Sequence, residues 1–393
     1  MKPLFLTIII IAYLTACQQN ATDIGNRLFV VERESASLAV LDIRKLKVIK
    51  RIALKGNLRH ASMVFSPDLH YGYIASRDGT LSRINLENMS SEGSLKTSLN
   101  SIGIAISQDG RVIAVSEYRP GGITLIDRKS FTIINKIPAI ISKSPAKELS
   151  RVTGLVDGAE NSFICALMDS NEIWELKREK TNLKYTINRR FKAAHTHPFD
   201  ALITPEGRYY ITGHFQSDKV SLVDLWDNAQ SAKAVVVQPK PAVTGVPVKM
   251  VHMEAWAVAG KSIFIPSSNS KELHKLSGDQ FLYQSSIKLI GHPVYAMVHP
   301  NQKEIWVSFT GSAVDGKIQI IDSRNGKTIR VLDVGKRVYH IAFTPRGDRA
   351  FVSSNETDEV VALDCLSHTI LKRIKVKSPS GIFGVWRAFQ IGL

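Results

Sequence analysis

Cysteine is nearly absent from these 393 residues, with only Cys17, Cys165 and Cys365 present. No CxxCH, paired CxxC or HExxH occurs, which excludes a covalently held c-type heme and the familiar thiol-rich or zincin metal sites. A Gly-rich phosphate loop is missing too, so P-loop and dinucleotide chemistry find no support. Charge is scarce at 22% against 44% hydrophobic residues, a balance that excludes disorder and supplies a packed core. Acidic groups are the rarer sign, 35 Asp and Glu against 51 Lys and Arg, for a formal charge of +16. The cations are dispersed over many turns and form no stripe, so most are read as solvated surface and no nucleic-acid partner is expected. A helical 3.6-residue period is also lacking.

What is there is a repeat. Short apolar runs alternate with Pro/Asp/Gly turns, small-polar breaks and runs ending near Asp, clearest over 60–86, 102–127, 199–225 and 340–364 and fainter over 151–176, 252–276 and 293–322. The turns near Pro67, Gln108, Ala159, Pro205, Ala259, Pro300 and Pro345 recur at about the 40 to 50 residues of a four-stranded blade. Period-2 alternation and β-branched content predict strands throughout. The expected fold is all-β, an eight-bladed β-propeller. Residues 27–54 have later strands of a blade and no leading one, whereas 379–392 read as a leading strand without a blade. The C-terminal strand is therefore expected to close the ring by pairing into the N-terminal blade, removing free edges.

The first seventeen residues, MKPLFLTIIIIAYLTAC, have a basic start, an apolar stretch too short to span a membrane and a small-residue pair before Cys17. They resemble a bacterial lipoprotein signal with Cys17 as the lipidated residue, the alternative being an ordinary cleaved signal peptide. Gln18 after the cysteine favours outer-membrane sorting by the same resemblance. The expected division is a leader over 1–17, a short tether over 18–26 and one propeller over 27–393, working in the periplasm and meeting the membrane only through the lipid. Cys165 and Cys365 fall on distant blades and read as small buried hydrophobes.

Propellers place their chemistry at the mouth of the central channel. Counting about eight residues back from each inner turn puts Arg59, His60, Asn100, Arg151, His197, His252, His292 and Arg337 in one register, with His340 close by. An ionisable group without partners in that position costs desolvation energy, so an annulus of His and Arg suits a planar, iron-containing polyanion: imidazole can coordinate iron and guanidinium can fork onto carboxylates. Each has a plainer reading as a satisfied structural residue, and His252, His292 and His340 are the most evenly balanced. His70, His274 and His368 read as surface residues and His299 as a turn residue; His195 and His214 stay ambiguous. Arg77 and Asp78 read as turn charges. Glu117 and Arg119 lie either at the channel mouth or on an exposed hairpin.

The segments RDGTLSRINL (77–86), NSIGIAISQDGRVIAVSEYRPGG (100–122), HTHPFDALITPEGRYYITG (195–213), HPVYAMVHP (292–300) and SPSGIFGVWRAFQIGL (378–393) resemble the heme d1 domain of cytochrome cd1 nitrite reductase, and more closely a heme d1 biosynthesis branch of that family. The resemblance covers nearly the whole chain after the leader. It implies a propeller that binds heme d1 or a precursor such as dihydro-heme d1 in its funnel. His60, before SRDG, occupies the place of the family's proximal iron ligand with one extra residue between. Relatives that reduce nitrite or dehydrogenate the precursor carry an N-terminal c-type heme domain that this chain lacks, which argues against nitrite reduction.

Three readings of function stay open. In the first, an enzyme, the channel groups position the macrocycle while His60, His197 or Glu117 moves a proton during a late side-chain modification. The second is a tethered carrier that passes the tetrapyrrole to a d1-pathway dehydrogenase or to cytochrome cd1 nitrite reductase. The third is a protein scaffold, which the inward histidines disfavour.

Overall fold

The computed structural model describes residues 23–142, 146–215, 217, 219–229, 231–237, 257–267 and 270–391. Eight four-stranded antiparallel sheets stand as blades around one axis. We number them from the sheet that joins the two ends of the chain, as blade 1, and order strands from the axis outward.

The innermost strands are Pro379–Gly384, Ser62–Phe65, Asn100–Ile106, Val152–Asp157, Pro198–Ile203, Ala257–Ala259, His292–Val298 and Val338–Phe343, in blades 1 to 8. Third strands such as Ser37–Asp42 and Glu359–Asp364 are buried nearly end to end, because each blade packs both faces on its neighbours; this is why they read as continuous apolar runs. Outermost strands such as Lys47–Ala53 and Thr369–Lys375 are mostly exposed and carry the Lys and Arg.

The aspartate that ends each run has a specific task. Asp42 Oδ1 accepts the backbone N–H groups of Arg44 and Lys45 at 2.9 and 2.8 Å, and Asp127, Asp224, Asp322 and Asp364 cap the same turn in blades 3, 5, 7 and 8. An Asx turn supplies the backbone donors with a partner where the ladder stops. Ser66, Ser107, Thr204 and Thr344 do the equivalent for the inner turns, each hydroxyl oxygen accepting the N–H five residues on.

Closure occurs as expected. Pro379–Gly384 pairs antiparallel with Arg27–Glu32, with Ile382 opposite Val30 and Phe383 opposite Phe29. The chain then makes a short 3-10 segment, Val385–Phe389, and runs across the axis until Ile391 packs 3.2 Å from where a Cβ on Gly207 in blade 5 would sit. Gly207 lies in an inner turn, so this crossing covers the end of the channel where the inner turns lie. Among the described residues nothing crosses the other end.

Six of the eight innermost pairings slip register near the channel, at Val30/Glu32, Asn100/Gly103, Thr153/Val156, Pro198/Ala201, Pro293/Tyr295 and Val338/Ile341. A bulge turns consecutive residues toward the same side. In blade 4 it needs Gly154, with φ +53°, since a Cβ there would stand 2.8 Å from the Tyr210 hydroxyl, which donates to the Gly154 carbonyl at 2.7 Å.

Replacing the fully buried Ile382 by Ala removes core from the closing strand and is expected to cost about 2–5 kcal/mol. Thermal unfolding followed by circular dichroism should show a clearly lower midpoint; an unchanged midpoint would mean that this pairing does not hold the ring.

Candidate functional site

The axial channel is a cavity of about 1390 Å³. Its wall is mostly apolar, formed by residues such as Ile104, Leu155, Leu202, Val258 and Met297, and Trp386 and Phe389 stand at its covered end. At the open end Arg33, His60, Arg77, Tyr118, Phe215 and Tyr339 surround the mouth. This volume exceeds the roughly 300–1,000 Å³ of an ordinary ligand pocket and suits a larger, flat molecule.

The two arginines at the mouth differ from those predicted. The Arg33 guanidinium lies 5.1 Å over the Tyr339 ring and that of Arg77 lies 5.1 Å over Tyr118. Neither makes an ion pair among the described residues, so stacked on aromatic faces they keep N–H donors for an incoming anion. Burial pulls the Arg77 pKa downward, though guanidinium stays charged in any such setting. Arg59 is instead tied to Glu34 at 3.2 Å, Arg337 to Glu356 at 3.1 Å and Arg151 to Asp169 at 2.5 Å. Arg151 also donates to the Tyr118 hydroxyl at 3.1 Å and lies 5.3 Å over its ring. It stands behind Tyr118 and positions it.

Midway down the channel, blades 7 and 8 join through a polar contact. His340 Nδ1 accepts the backbone N–H of Ile382 at 3.2 Å, which leaves the ring proton on Nε2 to be donated to the Tyr295 hydroxyl at 2.8 Å. Both rings line the cavity, and the His340 backbone N–H is held by Ser353 Oγ at 2.9 Å. The closing strand thus sets the tautomer of a channel histidine. Among the described residues no group of three or more His, Cys, Asp or Glu could hold a metal ion.

Of the sequence-predicted residues, the structure brings His60 and His340 to the channel. Arg59, Asn100, Arg151, His197, His292 and Arg337 are not among those lining it. Asn100 and His292 begin their inner strands, half-buried. His197 is exposed, with its N–H bound to Asn171 Oδ1 at 2.8 Å. Glu117 is neither at the mouth nor on an exposed hairpin; it is buried inside blade 3, accepting from the Thr124 hydroxyl, with Lys136 at 3.9 Å. His252 lies outside the described residues.

The physical reason is the bulge. It moves the channel-facing positions inward, so His340, Tyr295 and Asp200, each five residues before Pro345, Pro300 and Pro205, face the cavity together with the residue preceding each. Tyr295, Asp200, Arg33 and Arg77 were missed as site residues. The shared five-residue spacing is the signal that would have found the first two.

Two histidines read as surface residues are not. His274 is buried in blade 6, bonded to Ser286 Oγ at 2.8 Å, and His368 is largely covered, paired with Glu304 at 3.1 Å. His299 accepts the Asn301 N–H at 3.1 Å within its own turn, but its Nε2 donates across to the Gly347 carbonyl of blade 8 at 2.7 Å, and the residue also lines the channel. His214 is fully buried beside the mouth; its ring donates to the Thr196 carbonyl at 2.9 Å and accepts from Ser221 Oγ at 2.7 Å. Ser221 Oγ also accepts the Ala194 N–H at 2.8 Å. This chain of bonds fixes the 194–197 loop that holds His195 and His197.

Fold and site together define a class: a closed propeller with a large, aromatic-rimmed axial cavity that carries two guanidiniums at its mouth. Residues 22–388 match the family of the cytochrome D1 heme domain, and the chain belongs to that family. It is 36% identical to Protein NirF of Stutzerimonas stutzeri over 391 residues, 99% of each chain, and 34% identical to Protein NirF of Pseudomonas aeruginosa over 400 residues, 100% of this chain and 99% of that one. Over 368 residues, 92% of this chain and 71% of the other, it is 27% identical to dihydro-heme d1 dehydrogenase of P. aeruginosa. The solved structure of dihydro-heme d1 dehydrogenase NirN in complex with DHE superposes with a TM-score of 0.80 at 23% identity, covering 94% of this chain and 77% of that one, and shares the propeller fold. These relationships place the protein in heme d1 biosynthesis.

Burial holds the His214 pKa at about 4, below the ordinary 6.5. The folded state therefore binds its proton less readily than the unfolded chain, and stability is lost as pH falls from about 6.5 to about 4, by up to about 3 kcal/mol. Denaturant unfolding at a series of pH values should show that loss, reduced in His214→Gln; an equal slope in both proteins would remove this histidine as its source.

Proposed function

We propose that the channel takes up an iron tetrapyrrole of the heme d1 series, dihydro-heme d1 or an earlier precursor, and that the protein takes part in its late modification outside the cytoplasm. The observation that carries this reading is the pairing of uncompensated guanidiniums at the mouth with an apolar wall below. Arg33 and Arg77 would hold the peripheral carboxylates by charge-assisted forks. Tyr118, Tyr339 and Phe215 offer faces to a flat ring. His60, at the rim, is the candidate axial ligand of the substrate iron, which supplies the redox-active centre when bound. Further in, Tyr295 would hold or move a proton, with His340 Nε2–H fixing its orientation. Cys17 would carry the lipid that tethers the protein in the periplasm.

A second reading, a carrier that hands the tetrapyrrole to a dehydrogenase or to cytochrome cd1 nitrite reductase, is favoured by the single open mouth, through which a ligand must leave as it entered. The two readings separate at Tyr295.

Titration of the purified protein with dihydro-heme d1 or heme d1 should shift the Soret band, with the shift altered in His60→Ala and the affinity reduced about tenfold or more in Arg33→Ala or Arg77→Ala. An unperturbed spectrum with the unsubstituted protein would remove both readings.

With partner proteins and redox cofactors present, Tyr295→Phe should keep the binding shift and slow conversion of the bound precursor by about 10²-fold or more. If the unsubstituted protein releases the precursor unchanged under every redox condition, the carrier reading stands alone.

A further inference from the structure

The end of the propeller covered by Val385–Phe389 also carries the N-terminal end of the described chain. The short turn Ile24–Asn26 packs on Val385–Phe389, and Arg27–Glu32 starts from this end toward the open mouth. Three of the four most exposed large apolar side chains among the described residues stand on the same face: Leu366 at 94%, Phe389 at 69% and Trp226 at 65% exposure. Trp226 follows the third strand of blade 5, with Arg208 of an inner turn 5.2 Å over its ring. Leu366 follows Cys365, whose N–H binds the carbonyl of Asp348 in an inner turn. The fourth, Leu99 at 74%, is at the open end.

We propose that this covered face lies against an anionic lipid bilayer, so that the channel mouth points away from the membrane. The proposal rests on the reading that Cys17 is lipidated. Five residues, 18–22, separate that cysteine from Asp23, so the two stand at most about 22 Å apart even fully extended. A tether so short leaves whichever face it emerges from close to the lipid. Trp226, Leu366 and Phe389 belong to blade 5, blade 8 and the axis, too far apart for the central cluster of a protein interface, yet spread as separate shallow contacts with a plane would be. Tryptophan favours the headgroup level. Lys129, Lys303 and Lys327, exposed in turns of the same face, make no ion pair among the described residues and would meet anionic headgroups.

The test uses the full lipidated chain on vesicles of phosphatidylethanolamine and phosphatidylglycerol, with the Cys17→Ser protein in solution as reference. Phe389→Cys is expected to react with a water-soluble maleimide about fivefold more slowly on vesicles, as for a face docked about four-fifths of the time, and Leu99→Cys at an unchanged rate. Brominated lipid should quench fluorescence that Trp226→Phe removes. Vesicle-bound protein in which Phe389→Cys reacts at the solution rate and Trp226 is not quenched would overturn the orientation while leaving the anchor intact. Protection of Leu99→Cys instead would overturn it in favour of the opposite face. Lipidated-form protein that fails to sediment with vesicles would sink the anchor reading and this inference with it.

Discussion

The antiparallel pairing of Pro379–Gly384 with Arg27–Glu32 is the constraint on which the rest depends. Each blade is a sheet with two apolar faces and can bury both only between two neighbours. Eight blades in an open row, with seven interfaces, would leave two such faces and a strand edge exposed; the eighth interface removes all three at once. Ring closure also fixes the channel. The same strand delivers the Ile382 N–H that sets His340, so a residue of the site depends directly on the hydrogen bonds that hold the ends together.

Closure has a second result at the channel wall. The innermost strand of every blade has a ladder partner on one side only, and six of the eight give up part of that ladder to a bulge. A regular strand would alternate residues between the two faces of its blade. The bulges set Val294 with Tyr295, and Tyr339 with His340, in the cavity wall. Polar groups from separate blades then meet at hydrogen-bonding distance, although Tyr295 and His340 are 45 residues apart in sequence.

What the sequence made legible was local. Asx turns at Asp42, Asp127, Asp224, Asp322 and Asp364 depend on a few neighbouring residues, so blade count, turn positions and the closing strand could all be read. The channel register depends on bulges that a period-2 pattern does not show, and most residues at the mouth were chosen one to three positions too early. His60 and His340 fall in the cavity; Arg59, Arg151 and Arg337 fall beside Glu34, Asp169 and Glu356. Those carboxylates lie 18 to 25 residues away, across loops whose geometry the chain does not advertise. Arg77 was read as a turn charge and is one, in a turn that forms the rim.

The sorting of arginines separates structure from function. A guanidinium bound to a carboxylate is already neutralised and has little left for a ligand, whereas one stacked on a tyrosine retains its charge and most of its donors. Arg33 and Arg77 are of the second kind, and both are at the mouth. Stacking also costs an incoming carboxylate nothing in displaced ion pairs, so the ligand can be held and released through the same opening without breaking the protein's own salt bridges. For the proposed tetrapyrrole, a pocket with one mouth among the described residues would require that reversibility, whether the ligand leaves altered or unaltered. The aromatic faces that orient the guanidiniums are at the same time the surfaces against which a macrocycle can lie, so Tyr118 and Tyr339 serve the empty and the loaded pocket alike.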